Sequence, residues 1–66
     1  MNYKRGTILF VGGDIPEHVE EAKKHIKRHG WTTDDVALVR RMNKTTDEYE
    51  TLVVVINPDG VEQRGK

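Results

Sequence analysis

Hydrophobic positions fall in three rhythms along this chain. "TILFV" (7–11) is a β-branched and aromatic run that stops at Gly12-Gly13 and reads as a first strand. Over 14–30, "DIPEHVEEAKKHIKRHG", Ile15, Val19, Ala22 and Ile26 recur at spacings of four, three and four and line one side of a helix. Residues 35–42 place Val36, Leu38 and Met42 in strand phase, although Thr32 with Asp35 could also cap a second helix there. A polar stretch, "NKTTDE" (43–48), then leads into 49–57, where Leu52 to Ile56 are five consecutive aliphatics. The pattern favours a hairpin of 35–42 with 49–57.

The helix carries its own punctuation. Asp14 followed by Glu17 resembles a capping box, and Pro16 stands in the first turn, where its missing N–H costs nothing. Acids gather at the start (Glu17, Glu20, Glu21) and bases at the end (Lys23, Lys24, Lys27, Arg28), as the helix dipole favours. Gly30 suits the left-handed position after the last turn, with Trp31 packing back on Ile26. Asn57-Pro58-Asp59-Gly60 has the composition of a type I turn, and the residues after it read as a frayed tail or a short edge strand. The expected organisation is one domain over 1–60 and a flexible tail over 61–66.

The order β-α-β-β predicts a small α+β domain of split β-α-β type. A right-handed crossover sets strands one and two parallel with a gap, and the third strand fills it. The result is a mixed three-stranded sheet of order 1-3-2 with one helix packed on one face. That topology is similar to half of a ferredoxin-like fold, a likeness that carries no function.

A strand apolar front and back offers a second face to bury, and one helix cannot cover both. Taking Ile8, Phe10, Val36, Leu38, Leu52, Val54 and Ile56 as helix-facing leaves Leu9, Val11, Ala37, Val39, Val53 and Val55 on the open side. Such a patch points to a second copy of the chain or a larger protein.

Composition narrows the chemistry. In 66 residues, 11 Lys+Arg balance 11 Asp+Glu, which argues against a bulk electrostatic nucleic-acid binder. There is no cysteine and no serine, so disulfides, thiolates and the commonest hydroxyl nucleophile are excluded. No apolar run reaches membrane-spanning length, and a cytoplasmic home is expected. "VGGD" (11–14) joins a strand to a helix without the spacing of a phosphate-binding loop. His25 and His29, four apart, are weak candidate metal ligands, with His18 two turns away from His25. No cofactor is implied. His29, Thr32, Thr33, Asp34 and Asp35 could in principle activate a hydroxyl, but nothing in their spacing enforces it, and no enzyme is expected.

The leading expectation is therefore a non-enzymatic interaction or regulatory protein, suited to serve as an adaptor or as an inhibitor of a larger machine and of a size that a virus or phage could encode. The alternative is a nucleic-acid binder that uses Lys24, Lys27, Arg28, Trp31, Arg40 and Arg41.

Overall fold

The computed structural model describes residues 3–64. In chain order its elements are β1 (Ile8–Gly13), α1 (Pro16–Arg28), β2 (Val36–Asn43), β3 (Glu48–Val55) and α2 (Pro58–Arg64). The strands form one open sheet of order β1-β3-β2, and with the two helices they make an α+β fold. Both hydrogen-bonded pairs are antiparallel. The expected mixed character is corrected accordingly: β1 and β2 run the same way but never pair, because β3 lies between them. No helix among the described residues is long and apolar enough to cross a membrane.

The end of α1 forms as its residues dictate. Gly30 has φ +72°, the Trp31 N–H donates to Ile26 O at 3.2 Å, and the Gly30 N–H donates to Lys27 O at 3.0 Å. These are the two bonds of a Schellman motif. The start differs from expectation. Ile15 is the N-cap and no side chain caps it. Asp14 instead accepts from Arg40 on β2, at 3.0 Å from Nε and 2.9 Å from a terminal nitrogen. A guanidinium across the sheet out-competes the local capping geometry because it offers charge as well as N–H.

The second departure is α2. Asn57-Pro58 opens a helix rather than an isolated turn, with Pro58 at its first position and the Val61 N–H donating to Asn57 O at 3.1 Å. Val61, expected in a frayed tail, is fully buried among Ala22, Trp31, Val36, Val53 and Val55. Residues 65 and 66 of that expected tail lie outside the described residues.

Trp31 joins the two helices. Its ring lies in this core, and its indole N–H donates to Val61 O at 3.2 Å. Asp35 fixes the other side of α2. Its buried carboxylate accepts from the Thr32 N–H at 3.0 Å, and its backbone carbonyl accepts from Ile56 and Asn57. Its second carboxylate oxygen lies against Gly60, where any Cβ would collide with it. Gly60→Ala should therefore destabilise the fold by about 1–3 kcal/mol in urea unfolding, through overpacking alone. An unchanged midpoint would show that α2 does not pack on Asp35.

Candidate functional site

Register decides which residues face the helices. Directly paired residues share a face, and Leu38 pairs with Val53, which pairs in turn with Phe10. Val36 pairs with Val55. Val53 and Val55 are both fully buried beneath the helices. The expectation that they point to the open side is thus corrected, and so is the placement of Leu52 and Val54 on the helix side. The cause is the hairpin. Its four-residue loop 44–47 pairs even-numbered residues of β2 with odd-numbered residues of β3. Leu9 also changes sides, since the register slips between Ile8 and Phe10 and Leu9 packs on the helix-side core.

The face away from the helices is built of two apolar rows. Ala37, Val54 and Ile8 form one, and Val39, Leu52 and Val11 the next. Val11 is 58% exposed, Ile8 40% and Val39 36%, whereas Leu52 at the centre is only 1% exposed. A third row ends the patch with charge. On it, Arg41 donates to Glu50 at 2.9 Å, and Asn43 Nδ2 donates to the other Glu50 oxygen at 3.3 Å. Of the six residues expected to bind a partner, Val11, Ala37 and Val39 share this face, joined by Ile8, Leu52 and Val54. The hairpin register was the signal that would have named Leu52 and Val54 on β3, whereas Ile8, expected on the helix side, follows only from the bulged pairing of β1 with β3.

The residues of the nucleic-acid alternative do not converge. Lys24, Lys27 and Arg28 are exposed on α1. Trp31 is buried, stacked on His29 at 4.4 Å between ring centroids, and bonded to Val61, so it has no free face for a base. Arg40 and Arg41 are successive strand residues and face opposite ways. Arg40 is held by Asp14 beneath the start of α1 and lies 4.0 Å over the Tyr49 ring, while Arg41 is held by Glu50 on the open side.

The histidines serve the fold. The Gly13 N–H donates to His18 Nδ1 at 2.6 Å, which takes up a donor of the glycine turn. His29 Nδ1 lies 2.9 Å from the His25 carbonyl, an atom that only accepts, so that nitrogen carries the proton. The His25 and His29 rings are 4.5 Å apart between centroids, but among the described residues no group of three His, Cys, Asp or Glu side chains could hold a metal ion. The Thr–His–Asp grouping is likewise spent locally: Asp35 binds the Thr32 N–H, and the Thr32 hydroxyl accepts from the Asp34 N–H at 3.3 Å. Comparison with protein-family models, curated proteins and solved structures found no match.

Burial first, then the neighbouring His29 and the Arg28 guanidinium, hold His25 below its ordinary value of 6.5. The unfolded chain therefore takes up a proton that the folded chain resists. This contribution to stability is complete above pH 6.5, and it is lost as pH falls through the lowered folded value. Urea midpoints measured across this range should fall with acidity in the wild type and fall less in His25→Gln. Equal slopes would remove His25 as a cause.

Proposed function

We propose that this protein is a non-enzymatic interaction module whose helix-free sheet face docks on a second copy of the chain or on a larger protein. The observation that carries this reading is the placement of α1 and α2 on one side of the sheet, with Val11 and Ile8 exposed on β1 and Val39 exposed on β2, across Leu52, on the other. Their exposures amount to roughly 230 Å², no more than the largest apolar patch on an ordinary monomer. Burying it yields about 6 kcal/mol gross at roughly 25 cal/mol per Å². Association costs about 4–15 kcal/mol, so the face by itself supports a weak, exchangeable contact rather than an obligate one.

The face and the core make opposite predictions for charged substitutions. Val53→Asp should unfold the chain, since it buries an unpaired carboxylate at a fully buried position. Val11→Asp should fold normally and weaken the contact made through this face roughly tenfold or more, measured as concentration-dependent methyl shifts at Ile8 and Val39 or as binding to an identified partner. The double variant Lys27→Glu, Arg28→Glu should associate as the wild type does. If that double variant loses association and Val11→Asp keeps it, the basic end of α1 is the functional surface instead.

A further inference from the structure

The two outer edges of the sheet are built differently. Val55 exchanges backbone hydrogen bonds with Gly6 and Thr7 on the β1 side, so alternate residues of β3, namely Val54, Leu52 and Glu50, turn toward β2. Their partners Ala37, Val39 and Arg41 turn inward, which leaves the backbone groups of Leu38, Arg40 and Met42 directed outward. On β1 the outward edge is blunted by the bulge at Leu9 and by His18, which occupies the Gly13 N–H. On β2 the register runs unbroken from Val36 to Asn43, with no proline and no lysine, and among the described residues no strand lies beyond it. Its two charges are drawn back onto Asp14 and Glu50.

We propose that the free edge of β2 pairs antiparallel with β2 of a second copy, about a two-fold axis at Val39, to give a continuous six-stranded sheet. In this register Leu38 lies opposite Arg40 of the second copy and Val36 opposite its Met42, so Leu38 and Arg40 pair fully, the Val36 N–H stays on Thr32 O while its carbonyl faces Met42, and no arginine faces an arginine. A register centred on Arg40 would oppose two like charges. The helix-side geometry fits as well. An open groove of about 260 Å³ runs between α1 and β2, lined by Lys23, Ile26, Thr32, Thr33, Val36 and Leu38. Met42 of the second copy, opposite Val36 and on the same face, enters it. Exposed Leu38 and Met42 are covered together. The contact is separate from the face reading above and stands or falls without it.

Sedimentation of the full chain from micromolar to millimolar concentration tests the proposal. The mass should rise from 7.6 kDa toward twice that value. Leu38→Pro removes an outward N–H, a change that an edge strand tolerates, and should remain monomeric. Val11→Asp should still dimerise. A second readout does not depend on the variant folding: in the wild type, amide exchange at Leu38 and Arg40 should slow roughly tenfold or more across the concentration series, while exchange at Val11 does not change. A monomer at every concentration overturns the proposal. So does a dimer in which the Leu38 and Arg40 amides stay fast, or one abolished by Val11→Asp and kept by Leu38→Pro.

Discussion

Trp31 holds both helices to the same side of the sheet. Its ring enters the core beneath α1, and its N–H reaches the backbone of α2 at Val61. A buried indole N–H left unbonded is costly, so α2 is held where its carbonyl can accept that hydrogen. Asp35 adds a second restraint by joining loop 32–35, the end of β3 and the first turn of α2. The short chain therefore concentrates its helical cover over Val53, Val55 and Val36. The reverse of the sheet is left to side chains that shield one another, with Leu52, between Val11 and Val39, the best hidden of its described apolar residues.

The charges reinforce this division without contributing much stability. Arg40 and Asp14 have side chains 61% and 35% exposed, and ion pairs of that kind typically contribute about 0–1 kcal/mol. Their effect is geometric. Arg40 is directed to the start of α1 and over Tyr49, and Arg41 to Glu50 on the reverse. Both otherwise unpaired cations on β2 thus lie back against the fold, and the edge of the strand keeps its hydrogen-bonding groups clear.

The strand order, the position of α1 and its Gly30–Trp31 ending follow from patterns that residues 7–57 carry openly. Three features did not. Leu52 to Ile56 is apolar at every position, so periodicity alone cannot say which alternate set turns toward the helix. The evenness of the 44–47 loop could have said so, because it ties Val53 to the side of Leu38. Asn57-Pro58 serves a turn and a helix start equally well, and Gly60 argued for the turn. That glycine is in fact required by Asp35, a long-range contact with no local trace in the sequence. The bulge that turns Leu9 inward likewise depends on the pairing of β1 with β3.

The division of the sheet into a covered and an open side is most directly tested by methyl NMR with a soluble paramagnetic probe. The methyl signals of Val11, Val39 and Ile8 should broaden strongly, while those of Val53, Val55 and Val61 should be protected. Comparable broadening of Val53 or Val55 would contradict the account, since it would place those side chains on the open face.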